Sequence, residues 1–297
     1  MNFSPQDLPE GEASTPSSTQ AGVPASPDHS LTDHSFSGPS AAAASAAEIP
    51  AGETDPAWDG WDVLRLTFLT VVALFVGVFG VLLGSRIWVY PHQRLGEIAR
   101  IPIVLVVGQS LAYLLILAYM YILVTRERRR PDFLAALHWN WPSHIAGYVL
   151  AGFVLSLTLQ GLAHLLPIPR DLPIDSFFRT PVEAWAIGIL SVTLAPLMEE
   201  LFFRGFLYPV LARRLGLTIA VFLTALGFAG LHGWQLGFAW GPVLVIFLVG
   251  LILTVVRART NSVAAGVLIH MAYNGTITVA MYAVTDGFRH LERLSTQ

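Results

Sequence analysis

The sequence predicts an all-α protein: a polytopic bundle of about seven transmembrane helices that follows a disordered N-terminal tail. Of the 297 residues, 54% are hydrophobic and only 12% are charged, whereas a soluble domain carries roughly 25% charged residues. Apolar runs of roughly 20 residues, the length that crosses a bilayer, recur after residue 61. All eight tryptophans fall at or near the ends of these runs, as interfacial aromatic belts predict.

The tail, residues 1–60, is acidic and of low complexity. The first 64 residues contain ten Asp and Glu but no Arg or Lys, and the tail is rich in Ser, Pro, Ala, Gly and Thr. Such a segment cannot bury enough apolar surface to offset the entropy of ordering, so we expect it to be disordered. Residues 285–297 form a second, short tail at the C-terminus.

Seven candidate spans follow the tail. The first three, with their loops, make up residues 61–183, and the remaining four make up a predicted catalytic core over residues 184–284. The predicted spans are 63–85, 101–124, 145–166, 184–206, 217–236, 240–256 and 262–284.

The orientation of the bundle follows from its arginines. The chain has no Lys, and arginines cluster after the second, fourth and sixth spans, at 126–130, 213–214 and 257–259. Loops rich in positive charge stay on the cytoplasmic side. The pattern therefore predicts that the N-terminal tail lies inside and the C-terminus outside.

The composition also excludes several classes of function. The chain has no Cys, which excludes disulfides, thiolate metal sites and a Cys nucleophile. No basic patch is interleaved with aromatic residues as in a nucleic-acid-binding surface, so we expect no nucleic-acid partner. The partners that remain are the lipid bilayer and membrane-associated molecules.

Ionisable and polar residues interrupt three of the last four spans. Glu199, Glu200 and Arg204 lie in the fourth span, and charged residues at membrane depth indicate a functional site. His232 lies in the fifth span, and His270 and Asn274 lie in the seventh. From a rise of about 1.5 Å per residue these groups reach comparable depths, so they are predicted to meet in one buried site.

Residues four apart share a face of a helix, which assigns neighbours within each span. Glu200 and Arg204 have this spacing and are predicted to form an ion pair, which leaves Glu199 to face the histidines. Phe228 precedes His232 by four residues and His270 precedes Asn274 by four. Phe228 is expected to support the site by packing.

A carboxylate beside an imidazole can take a proton from water and direct the hydroxide at a carbonyl carbon. A second imidazole and an amide can stabilise the oxyanion that develops. A zinc ion held by Glu199, His232 and His270 is one option, and a metal-free mechanism is the other, since the zinc-protease motif H-E-x-x-H is absent. Ser191 and Thr193 lack the setting of a serine nucleophile.

With these three motifs the sequence resembles the CPBP family of intramembrane proteases, which includes the type II CAAX prenyl endopeptidases and the Abi-like bacterial proteins. The family pattern reads E-E-x-x-x-R, F-x-x-x-H and H-x-x-x-N. It matches Glu199–Arg204, Phe228–His232 and His270–Asn274, in that order. The resemblance covers roughly residues 184–284.

The resemblance implies a multi-pass protein of the bacterial cytoplasmic membrane that cleaves peptide bonds at or within the membrane. It assigns water activation to Glu199 with His232, an oxyanion site to His270 and Asn274, and support to Glu200 and Arg204. The substrates it implies are membrane-associated peptides, prenylated or of the bacteriocin type. Two alternatives are a proton-coupled transporter, because Glu, His and Arg also line ion pathways, and a non-catalytic immunity or scaffold protein.

Overall fold

The computed structural model describes residues 56–169 and 172–294, all within one compact unit, Ala47–Gln297. Most of the predicted disordered tail, residues 1–55, lies outside the described residues. Across the described ranges the secondary structure is helical without a strand, which confirms the all-α prediction.

Eleven α-helices occur in the described part of the chain. They are α1 (Gly60–Trp88), α2 (Leu95–Ile98), α3 (Pro102–Ile122), α4 (Phe133–Ala136), α5 (Ile145–Ala163), α6 (Pro181–Val192), α7 (Leu194–Glu200), α8 (Tyr208–Leu215), α9 (Leu217–His232), α10 (Trp240–Thr260) and α11 (Val263–Val284). Wider π-helical turns, Leu123–Glu127 and Leu201–Leu207, extend α3 and join α7 to α8. Short 3₁₀ turns occur at Pro173–Phe177 and Leu291–Leu294.

Six continuous helical stretches of the described residues are long and apolar enough to cross a membrane, and a seventh, α9, is apolar but has only 16 residues. This agrees with the prediction of about seven spans. The fifth span, predicted over 217–236, ends at His232 because the chain turns at Gly233 and passes through left-handed backbone at Gly237 and Phe238. At about 24 Å, α9 is shorter than the hydrocarbon core of about 30 Å.

Local sequence signals set where the helices begin and end. The Asp59 carboxylate accepts hydrogen bonds from the first backbone N–H groups of α1, and the Ser262 hydroxyl accepts one from Ala265 N–H at the start of α11. Gly216 and Asn261 adopt positive φ angles that separate α8 from α9 and α10 from α11. These tight connections place α9 directly after α8 and α11 directly after α10.

The fourth span is one continuous stretch, Pro181–Leu215, broken at its centre. Pro196 has no N–H, and its ring clashes with the carbonyl four residues earlier, that of Val192, where α6 ends. Pro209 acts in the same way on Gly205, inside the π-helical turn that carries Arg204. The segment from Glu199 to Arg204 therefore lies between two prolines, each of which interrupts α-helical hydrogen bonding on its side.

Glycines let helices approach closely at two contacts. A Cβ at Gly77 of α1 would lie 2.7 Å from the Gly108 carbonyl oxygen of α3, and one at Gly152 of α5 would lie 2.3 Å from the Ile269 carbonyl oxygen of α11. The second contact packs α5 against the backbone of α11 at Ile269, the residue before His270. Small residues at such crossings are the usual means by which membrane helices pack.

The tryptophans lie where the sequence predicts, with one difference. Trp61, Trp88 and Trp240 are exposed at helix ends. Trp58 instead is buried, and its indole N–H donates to the Phe206 carbonyl oxygen at 3.1 Å. It therefore anchors the segment before α1 to the fourth span.

Candidate active site

Three side chains predicted to meet, those of Glu199, His232 and His270, lie within 4 Å of one another through Glu199. Glu199 Oε1 lies 3.9 Å from His232 Nε2, and Glu199 Oε2 lies 3.7 Å from His270 Nε2. The carboxylate is 13% exposed, so it is largely enclosed but accessible to a small molecule. Helices α7, α9 and α11 each contribute one of these groups. The rise along each helix predicted this meeting, because it placed the three groups at comparable depths.

His232 is held by its own helix. Its Nδ1–H donates to the Phe228 carbonyl oxygen at 2.9 Å. Because a carbonyl can only accept, this partner assigns the proton to Nδ1. In the neutral ring, Nε2 therefore presents its lone pair toward Glu199.

His270 is oriented by the second glutamate. Its Nδ1 lies 3.0 Å from Glu200 Oε1, so Nδ1–H donates to the carboxylate and Nε2 faces Glu199. A carboxylate on the far nitrogen fixes both the ring orientation and the tautomer. The two adjacent glutamates thus contact opposite nitrogens of one imidazole.

Glu200 and Arg204 form the predicted ion pair, at 2.9 Å, and both side chains are fully buried. The guanidinium also donates to the Gly250 carbonyl oxygen at 2.8 Å and to Thr254 Oγ1 at 3.3 Å. A buried charge pair is tolerated when its remaining donors are satisfied in this way. The pair thereby ties the π-helical turn to α10 and supports His270.

Phe228, predicted to support the site by packing, lies between the Arg204 guanidinium and the two imidazole rings. Its ring is 4.7 Å from that of His232 and 5.7 Å from that of His270, and Arg204 Cζ lies 4.8 Å from its centroid. The side chain is fully buried. It therefore separates the Arg204 cation from His232 by an aromatic face that attracts positive charge.

Asn274 lies one turn beyond His270, but its amide has a partner. One amide N–H donates to the Ser191 carbonyl oxygen at 2.7 Å. That carbonyl belongs to the last turn of α6, where the break at Val192 interrupts helical hydrogen bonding. Asn274 thus links α11 to the broken fourth span, and one amide hydrogen and Oδ1 remain for another ligand.

A zinc site does not fit these side chains as they lie. Tetrahedral ligands at 2.0–2.1 Å from zinc are about 3.4 Å apart, and both separations between Glu199 and the imidazoles are wider. Within residues 56–169 and 172–294, no group of three or more His, Asp or Glu side chains could hold a metal ion. The metalloprotease interpretation therefore has no support in this geometry.

Two features of the site were not predicted from the sequence. Tyr113 of α3 lies within electrostatic reach of the Glu199 carboxylate and accepts a hydrogen bond from Gln109 at 2.8 Å. Gly266 of α11 lies against Glu200, so that a Cβ there would be 2.6 Å from Glu200 Oε2. The signal for Gln109 and Tyr113 was available, since they are two polar residues four apart in an apolar span.

Comparisons with known proteins give one family and one curated relative for this chain. Residues 181–276 match the family model of the type II CAAX prenyl endopeptidase Rce1-like proteins. The UPF0177 protein YbdI of Lactococcus lactis subsp. lactis (strain IL1403) is 28% identical over 141 residues, which are 46% of this chain and 72% of that protein. No solved structure matches the chain significantly.

The matched range includes all three motifs, which confirms the family resemblance predicted from them. Together with the six long apolar helices of the described residues, it identifies an integral multi-pass membrane protein. The Rce1-like family implies CAAX-type intramembrane protease activity.

Proposed function

We propose, from the Rce1-like domain at residues 181–276, that this protein is an intramembrane endopeptidase in which Glu199 activates water. The observation that carries the proposal is the Glu199 carboxylate held between Nε2 of His232 and Nε2 of His270. Side chains from three helices converge on one largely enclosed carboxylate. That arrangement suits a base whose neighbours bind the other parts of the reaction.

The first step is attack by water on the scissile carbonyl carbon. Glu199 takes one proton from the water, and the lone pair of His232 Nε2 accepts a hydrogen bond from the other hydrogen. Because His232 Nδ1–H is fixed on Phe228, Nε2 keeps its acceptor role and orients the nucleophile. General-base catalysis of this kind contributes roughly 10²–10⁴-fold in rate.

The tetrahedral intermediate needs donors for its oxyanion. We assign these to His270 Nε2 and to the amide hydrogen of Asn274 that does not bond to Ser191. Since His270 Nδ1–H is already donated to Glu200, donation from Nε2 requires the doubly protonated ring. The developing oxyanion would balance the charge of the second proton, while Glu200, which stays paired with Arg204, accepts the hydrogen bond from Nδ1–H.

The second step breaks the C–N bond. The proton that Glu199 took from water passes to the leaving amine nitrogen, which restores the carboxylate. The products are a new carboxyl terminus and a new amino terminus, and no other reactant is consumed. Glu200 and Arg204 stay paired throughout and hold His270 in position.

The proposed substrates are membrane-associated peptides, and the family description makes a prenylated C-terminal peptide the first probe to use. The reacting groups lie on helices whose outer faces are apolar. A substrate with a lipid chain or an apolar segment would reach them from the bilayer. Bacteriocin-type peptides are the second class to test.

The test is cleavage of such peptides by the full-length protein in liposomes. Glu199→Gln removes the base and keeps the size of the side chain, so turnover should fall at least about 100-fold. Glu183→Gln is the matched control, because Glu183 is a buried carboxylate on α6 that lies outside the site. The control should retain activity within about threefold.

Equal activity of Glu199→Gln and the wild type would refute the mechanism. Cleavage in detergent, where no proton gradient exists, would also argue against a transporter. If no peptide class is cleaved by the wild-type protein, the proposal of an endopeptidase fails with it.

A further inference from the structure

One cavity of the protein, lined by none of the proposed catalytic residues, is rich in arginine. It has a volume of about 420 Å³ and opens at the end of the bundle where α1 begins, α3 with its π-helical turn ends, and α8 carries its last arginines. Its charged lining consists of four guanidinium groups and one carboxylate, namely Arg128, Arg129, Arg130, Arg213 and Asp59. The cavity therefore has a strong excess of positive charge.

Part of this lining is a fixed scaffold. Arg213 donates to the carbonyl oxygens of Pro56 and Trp58, each at 3.2 Å. Arg128 pairs with Asp59 and Asp62 at the start of α1. Trp58 is itself buried and donates to the Phe206 carbonyl oxygen. The cavity floor is therefore held by polar contacts that join the segment before α1 to the end of α3, to α8 and to the π-helical turn before α8.

Arg129 and Arg130 are the remaining two cations, and they differ from the scaffold. Both are exposed, and neither guanidinium has a hydrogen bond or ion pair with any residue of 56–169 or 172–294. Arg129 has a positive φ angle of 54°, so the chain turns sharply here and brings consecutive arginines to one opening. Their donors are thus available to a ligand.

The location defines the kind of ligand. Three long apolar helical stretches have an end at this side of the bundle, and exposed Trp61 lies in the first turn of α1, just after the lining residues Trp58 and Asp59. Tryptophan and arginine at helix ends mark the level of the lipid headgroups. A guanidinium binds phosphate oxygens in a bidentate manner, which makes arginine a preferred ligand for phosphate.

We propose that this cavity binds the phosphate group of an anionic phospholipid, with Arg129 and Arg130 as the ligands and Arg128 and Arg213 as the scaffold. The site is distinct from the peptidase site and does not depend on the proposed catalytic function. Basic pockets between membrane helices on the positively charged side are suited to such headgroups.

The experiment is a titration of the purified full-length protein in a non-ionic detergent with short-chain phosphatidylglycerol. Its dissociation constant is compared with those of phosphatidylcholine of the same chain length and of inorganic phosphate. The wild-type protein should bind phosphatidylglycerol at least about tenfold more tightly than phosphatidylcholine, because the choline ammonium of the latter is repelled by the arginines and each arginine near an anionic headgroup contributes about 1 kcal/mol. It should also bind phosphatidylglycerol more tightly than inorganic phosphate, which has no acyl chains to lie against the apolar helices.

The variant Arg129→Asn/Arg130→Gln should lose this preference, and Asn is well tolerated at positive φ. Arg94→Gln/Arg100→Gln is the matched control, since both arginines are exposed at the opposite end of α3. Unchanged selectivity in the first variant, or equal loss in the control, would overturn the proposal. Binding of inorganic phosphate as tight as that of the lipid would show a soluble-phosphate site instead.

Discussion

At the scale of single residues, Glu200 is the point on which the candidate site depends. One oxygen of its carboxylate contacts both Arg204 and His270, and the other faces Gly266. The sequence predicted the ion pair from the spacing of four residues. It could not predict the contact to His270, because that contact joins residues 70 positions apart.

Gly266→Ala tests whether Glu200 positions His270. The new Cβ would lie 2.6 Å from Glu200 Oε2, so the carboxylate must shift and His270 must lose its orientation. We expect peptide turnover to fall at least about tenfold, with destabilisation of about 1–3 kcal/mol from overpacking. Turnover and thermal unfolding in detergent are the two measurements.

Gly161→Ala is the control for that variant, because a Cβ at position 161 of α5 meets no atom within 4 Å. It should leave turnover unchanged. If Gly266→Ala also keeps wild-type turnover, the fixed position of Glu200 is not needed for catalysis.

At the scale of the helices, the break in the fourth span is the element that shapes the site. Pro196 was visible in the sequence, yet the sequence predicted an uninterrupted span over 184–206. The break is stable because Asn274, on a different helix, supplies a donor to the freed Ser191 carbonyl. Only the folded arrangement of α6, α7 and α11 reveals that partner.

Asn274→Ala should therefore have two effects. Removing the donor leaves a half-buried carbonyl without its partner, which costs about 1–3 kcal/mol of stability, and it removes a proposed oxyanion donor, so turnover should fall at least about tenfold. Thermal unfolding and peptide cleavage measure the two effects separately.

Thr276→Ala is the comparison within α11, since Thr276 Oγ1 donates only to the Ala272 carbonyl of its own helix. It should cost little stability and no activity. Loss of stability in Asn274→Ala with full turnover would leave Asn274 a purely structural residue.

At the scale of the whole molecule, composition, apolar runs and arginine placement were sufficient to predict an all-α membrane bundle. The structure adds that α9 is too short to cross alone and ends at His232. The sequence prediction extended past this point because Trp234 and Leu236 continue the apolar run beyond His232. The short helix brings His232 to the depth of Glu199.

The orientation of the bundle is open to direct measurement, because a chain without cysteine gives labelling without background. Ser143→Cys lies on the side of the arginine-rich cavity, and Gln93→Cys lies in the loop between α1 and α3 on the other side; both positions are exposed. The arginine bias predicts that a membrane-impermeant maleimide labels Cys at position 93 in intact cells. The cysteine at position 143 should react only after permeabilisation, and the reverse pattern would invert the orientation.

The central proposal, that Glu199 activates the water for hydrolysis and that no metal ion is required, is tested most directly by oxygen-18 incorporation. Chelator-washed protein in liposomes is incubated with a prenylated CAAX peptide in oxygen-18-labelled water, and the masses of the products are measured by mass spectrometry. The wild-type protein should release product with one heavy oxygen in its new carboxyl terminus, and Glu199→Gln should release almost none. Equal incorporation by both, or activity that appears only when zinc is restored, would contradict the account.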